Sequence, residues 1–91
     1  MPIRIVQYIE ALDGMVDEMR RAYAESCPEV RSQPGVLEFE LYQSIERPGQ
    51  FVLLQRYADE QALANHGNLI VHRGLRLDTV RRITATERHE E

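Results

Sequence analysis

Residues 34–66 constrain the fold of this chain more than any other stretch, because they hold two β-rich runs separated by a Pro48-Gly49 turn and followed by a capped helix. Successive side chains of a strand point to opposite faces. The first run therefore sets Leu37, Phe39 and Leu41 against Val36, Glu38, Glu40 and Tyr42, one dry face and one mixed. The second sets Phe51, Leu53, Gln55 and Tyr57 against Val52, Leu54 and Arg56, and neither side is plainly polar until its C-terminal end. A strand of that kind needs cover on both faces. Asp59 then caps a helical pattern through Ala62, Leu63 and His66, which Gly67 is expected to end.

The flanking segments complete an alternating order. Ile3–Ile9 reads as a first strand, with Ile3, Ile5 and Ile9 on one side and Arg4, Val6 and Tyr8 on the other. Asp13 is the expected N-cap of a helix whose inner face carries Met15, Met19, Ala22, Tyr23, Cys27 and Val30. Pro28 lacks a backbone N–H, so this helix must kink or restart there, and Ser26 with Glu29 has the spacing of a capping box that favours a restart. Pro34-Gly35 closes the segment. After Gly67, Asn68 is expected to cap a second helical piece; residues 69–80 have too many apolar positions for one narrow stripe, and Gly74 weakens a helix. Residues 82–88 alternate as a last, edge-like strand, and His89-Glu90-Glu91 reads as a solvated tail.

The result is β-α-β-β-α-β, the ferredoxin-like α+β order with an antiparallel sheet, in one domain spanning 1–91. Both helices of such a fold cover one sheet face. The apolar residues left on the other face call for a second sheet, which a homodimer provides. At 91 residues the chain's own core is modest, and burial by a partner adds to it.

Composition narrows the function by exclusion. A net charge of -4 with a pI near 5.4 disfavours nucleic acid, which is bound by neutralising many phosphates. Arg47–Val52 only faintly echoes the aromatic motif of RNA-recognition domains, and the third strand is aliphatic where such sites expose stacking rings. The one cysteine, Cys27, has no intrachain partner, the N-terminus has no apolar leader, and no run approaches a membrane span, so the expected location is the cytoplasm. His66, His72 and His89 lack metal-ligand spacing, and the glycines stand singly at turns rather than in a phosphate loop. What remains is a small polar set near one end of an apolar sheet: Arg56, Tyr57, Tyr42, Gln43, Asn65 and His66, with Tyr8 and Tyr23 as further aromatic wall. Apolar walls with a few donors suit a pocket for a planar organic ligand, and residues 8, 23, 57 and 66 are expected to surround it. The alternative is that Tyr23 and Tyr57 are core residues and Arg56 a solvated one.

The run PGVLEFELYQS, the Pro-Gly turn and FVLLQRYADEQALANH resemble the central signature of the antibiotic biosynthesis monooxygenase family, over roughly a third of the chain. The resemblance implies a dimeric α+β barrel and a cofactor-independent monooxygenase. Its substrate, a small phenolic or polycyclic aromatic, would pass an electron to dioxygen and become a quinone, with neither metal nor flavin. Under that chemistry His66 is the base or hydrogen-bond donor, and Asn65 and Arg56 hold the developing oxyanion. Tyr8, Tyr23, Tyr42 and Tyr57 then pack the substrate. The same scaffold also hosts isomerases and lyases, and a non-catalytic small-molecule-binding dimer is the reading from another class. This chain departs from several quinone-forming members and from the haem-degrading branch in having no Trp; Tyr57 stands where many relatives have one at the strand end.

Overall fold

A computed structural model describes the backbone of residues 1–73 and 79–91 and the side chains of residues 1–67 and 79–91. Six elements follow in the expected order: β1 (Ile3–Ala11), α1 (Val16–Arg31), β2 (Val36–Gln43), β3 (Gln50–Tyr57), α2 (Glu60–Arg73) and β4 (Arg81–Glu90). The strands form one sheet in the order β2-β3-β1-β4, every neighbouring pair antiparallel. This is the ferredoxin-like α+β fold.

Strand parity decides what lies inside. Ile3, Ile9, Phe39, Phe51, Leu53 and Tyr57 turn toward the helices and are buried, while α1 contributes Met19, Tyr23, Cys27 and Val30 at three- and four-residue spacing. The helix runs unbroken through Pro28. That overturns the restart expected there, and Ser26 makes no cap. The buried stripe keeps its period across the proline, and the turn after it is held by Ser32, whose amide bonds the Pro28 and Glu29 carbonyls at 3.2 Å and whose hydroxyl donates to the Glu29 carbonyl at 2.6 Å. Packing of one continuous face outweighs a single missing bond.

The other departures are local. Met15, not Asp13, occupies the N-cap of α1, and it makes no side-chain cap bond. Gly14, at φ +75°, turns the chain between them and carries Asp13 away from the helix end. Asp59 does cap α2, its Oδ1 accepting the Ala62 amide at 2.9 Å. The helix continues through Gly67 and Asn68 rather than stopping and restarting, and Gly67 is not in the left-handed region. Of the segment 69–80, residues 74–78 lie outside the described residues. The first run of β2 also shifts register between Val36 and Glu38, so Val36 packs on the core and Leu37 is 51 % exposed, the reverse of simple alternation. His89 and Glu90 belong to β4 instead of a tail, and Glu91 is tied down, accepting two bonds from Arg56 at 2.7 and 3.1 Å.

No described element covers the sheet's other face in the single chain. That face carries Val6, Val52 and Leu54 down its centre, with Tyr8 and Tyr42 at one end. Around them stand paired charges, Arg4 beside Glu38 and Glu91 and Arg82 with Glu10 at 2.7 Å, and a contact between Glu87 and His89 at 3.2 Å.

Candidate functional site

The polar groups held between sheet and helices come from three elements. β1 and β3 alternate so that Gln7 and Gln55 stand on the same side as Ile3, Ile9, Leu53 and Tyr57. Capped by Asp59, α2 presents Ala62 and, one turn on, His66 to the sheet, both buried. The His66 ring lies 5.3 Å from that of Phe39 and 5.6 Å from that of Tyr57, centroid to centroid.

A hydrogen-bond chain runs through this interior. The Tyr57 hydroxyl donates to Gln55 Oε1 at 2.5 Å, and Gln55 Nε2 donates to Gln7 Oε1 at 2.9 Å. The chain has a fixed direction. Tyr57 has spent its proton on Gln55, and burial holds its phenol well above the usual tyrosine range, so it remains protonated. His66 behaves oppositely: it is 6 % exposed, and burial lowers its pKa below the ordinary 6.5, so it is neutral at physiological pH. Its Nδ1 is buried and has no hydrogen-bond partner among the described residues. Buried polar atoms are nearly always paired, so an orphan facing an apolar interior is an invitation to a ligand atom. A neutral imidazole of this kind can accept a proton from a weakly acidic carbon or phenol.

The residues expected at the site divide between the two faces. Tyr57 and His66 are together. Tyr23 is on the same side but at the far end: it lies near Phe51, which pairs with Ile9, six ladder steps or about 20 Å from the Ile3–Tyr57 step. Tyr8, Tyr42 and Arg56 are on the bare face, so Tyr8 does not surround the interior with His66 as expected, and Tyr42 and Arg56 do not face it. Strand alternation puts them there: Tyr8 pairs with Val52, as does Tyr42, and Arg56 with Arg4. Tyr8 donates to Glu87 at 2.9 Å, and Arg56 is held by Glu91. Asn65 points to solvent, accepting from Gln61 Nε2 at 3.0 Å, because its neighbour His66 takes the inward direction of the helix. Nor is His66 a helix-end residue, since α2 extends a further seven positions, to Arg73. Gln7 and Gln55 were missed as site residues. The signal was available in parity alone: each is the polar residue in an otherwise apolar inward row.

Among the described residues no three His, Cys, Asp or Glu side chains converge as a metal site, and no helix is long and apolar enough to cross a membrane.

Comparison with known proteins agrees with this architecture. The sequence profile described as antibiotic biosynthesis monooxygenase matches residues 2–74. No curated protein matches the chain. Among solved structures, Rv0793 from Mycobacterium tuberculosis superposes with a TM-score of 0.82 at 18 % identity, covering 100 % of this chain and 95 % of that one. PA3566 from Pseudomonas aeruginosa gives 0.79 at 18 % identity, covering 97 % and 89 %. SnoaB from Streptomyces nogalater, described as a cofactor-independent oxygenase, gives 0.81 at 14 % identity, covering 99 % and 92 %. At such identities the structural likeness is one of fold. The profile match spans most of the sequence, and the chain belongs to the antibiotic biosynthesis monooxygenase family.

Proposed function

We propose that this protein is a cofactor-independent monooxygenase that converts a small phenolic or polycyclic aromatic substrate to a quinone with dioxygen. The observation that carries the reading is His66, buried, neutral and with an unpartnered Nδ1, beside the Tyr57–Gln55–Gln7 chain. In an anthrone-like substrate, His66 takes a proton from the activated methylene. The amide N–H groups of Gln7 stabilise the resulting enolate oxygen, donors fixed in a water-poor space being worth more than in bulk. The enolate passes one electron to dioxygen; the two radicals join in a C–O bond, and the peroxide so formed loses water, breaking the O–O bond and the second C–H bond. One oxygen atom ends in the carbonyl and the other in water. All electrons come from the substrate, so the reaction draws on no external reductant.

The bare face supports a homodimer as the working unit. Its central Val6, Val52 and Leu54 lie between cationic and anionic residues, a pattern that a second copy related by a two-fold axis can complement. In this arrangement Tyr8, Tyr42 and Arg56 belong to the subunit contact rather than to the reacting centre.

The test is oxygen uptake with anthrone, chelator present and flavin omitted, corrected for spontaneous oxidation. Wild type should consume one dioxygen per anthraquinone formed, and His66→Gln should be slower by about 10²-fold or more, the usual contribution of a positioned base. Equal rates for the two proteins with anthrone and with a range of quinols would sink the proposal.

A further inference from the structure

A second feature lies apart from the His66 cluster. Where α1 passes edge strand β2, a groove of about 290 Å³ opens between them, at the small end of the range for ligand pockets. Its floor and walls are apolar: Ala24, Cys27 and Pro28 on the helix, Leu41 and Phe51 on the sheet. Tyr23 forms part of the same wall. It is 3 % exposed and its hydroxyl has no hydrogen-bond partner among the described residues. Burial pushes that phenol up to about 12, so at neutral pH it is a donor waiting for an acceptor.

Charge is distributed unequally along the groove. Arg20 and Arg31 are eleven residues apart on α1, roughly 16 Å along its axis. Arg31 is already engaged, donating to the Phe39 carbonyl at 2.8 Å and lying 3.5 Å from Glu40. Arg20 forms no ion pair with a described residue. The groove therefore offers an open cation at one end, an apolar middle with one buried donor, and a neutralised end beside Glu40.

We propose that this groove binds a small amphipathic carboxylate, its acid group at Arg20, its hydrocarbon or aryl body along Ala24, Cys27 and Pro28. The polarity is fixed by the two ends. An anion at the Glu40 end would meet a carboxylate, whereas at the Arg20 end it meets an unshared guanidinium. The site is separate from the proposed reacting centre and stands or falls independently of it.

The probe is 4-phenylbutyrate, with 4-phenylbutanamide as its uncharged counterpart, each titrated into the full-length protein and followed by backbone amide shifts. Expected are shifts at residues 20–31 and 40–43 at millimolar ligand, with the acid bound about fivefold more tightly than the amide, the scale of one exposed ion pair. Arg20→Ala should abolish that preference while leaving amide binding unchanged. Ala24→Leu, at an exposed helical position, should fill the groove and weaken both ligands. Equal affinity for acid and amide in wild type would overturn the proposal, as would shifts confined to Gln7, Gln55 and Tyr57, or none at millimolar ligand.

Discussion

Gly35 joins α1 to β2 in a conformation that a side chain resists twice. Its φ of +84° lies in the left-handed region, and a Cβ built on it would sit 2.6 Å from the Cβ of Ala62. Ala62 is the buried residue one turn before His66 on α2, and the Gly35 carbonyl accepts the Ala58 amide at 2.8 Å, so this contact sets how closely the start of α2 approaches the sheet. Gly35→Ala should cost about 1–2 kcal/mol for the backbone conformation and about 1–3 kcal/mol for the overlap, which is against the body of a helix rather than a flexible chain end. The loss of about 2–5 kcal/mol is a large fraction of the stability of a small domain. Urea unfolding at fixed protein concentration measures it. The two causes separate in a double-mutant cycle. Ala62→Gly alone loses about 1 kcal/mol of helix propensity, but in the Gly35→Ala background it should restore the overlap portion and leave the backbone portion. A Gly35→Ala loss below about 1 kcal/mol would refute the reasoning, and so would the absence of favourable coupling between positions 35 and 62.

Other predictions read the interior. Because burial lowers the His66 pKa, the unfolded chain binds a proton more readily there; the stability it confers is complete above pH 6.5 and is lost as pH falls through 6.5 toward the folded value. His66→Phe should flatten that part of the pH–stability curve, and an unchanged difference in urea midpoint between pH 7.5 and 5.5 would contradict it. Tyr23→Phe removes a buried hydroxyl with no partner and should stabilise the free protein by about 1 kcal/mol, read as a raised urea midpoint. Gln55→Leu strands both the Tyr57 hydroxyl and Gln7 Oε1 and should cost about 1–3 kcal/mol, with part recovered on adding Tyr57→Phe. On the bare face, Leu54→Lys should leave the helix-side core intact by circular dichroism and, if the proposed homodimer forms there, move sedimentation toward the monomer; an unchanged sedimentation coefficient for a dimeric wild type would count against that interface.

Much of this fold could be read from alternation. The inward rows of β1 and β3 follow period two without interruption, and that pattern already contained Gln7 and Gln55. The errors arose where a local preference competed with packing. Pro28 and Gly67 each signal a break, yet Met19, Tyr23, Cys27 and Val30 in one helix and Ala62 and His66 in the other make continuous buried stripes, and burial prevailed. The register shift near Leu37 lies just after Gly35, whose close approach to Ala62 is a long-range contact that no local pattern encodes. The candidate site divided for a related reason. Arg56 is next to Tyr57 along the chain but takes the opposite face, and Tyr8 and Tyr42 pair with Val52, five ladder steps away; nearness in sequence says little about which side or end of a sheet a side chain occupies.

That separation makes β3 a text with two interleaved messages. Leu53, Gln55 and Tyr57 answer to whatever the interior must hold, and Val52, Leu54 and Arg56 to whatever lies against the opposite surface. Each set can drift while the other stays constant, so a lineage can reshape what its interior accepts without altering what its opposite surface presents. The same arrangement makes the strand brittle toward a change in length: inserting one residue before Leu53 would flip every side chain from there on, expelling Tyr57 and drawing Arg56 into the core.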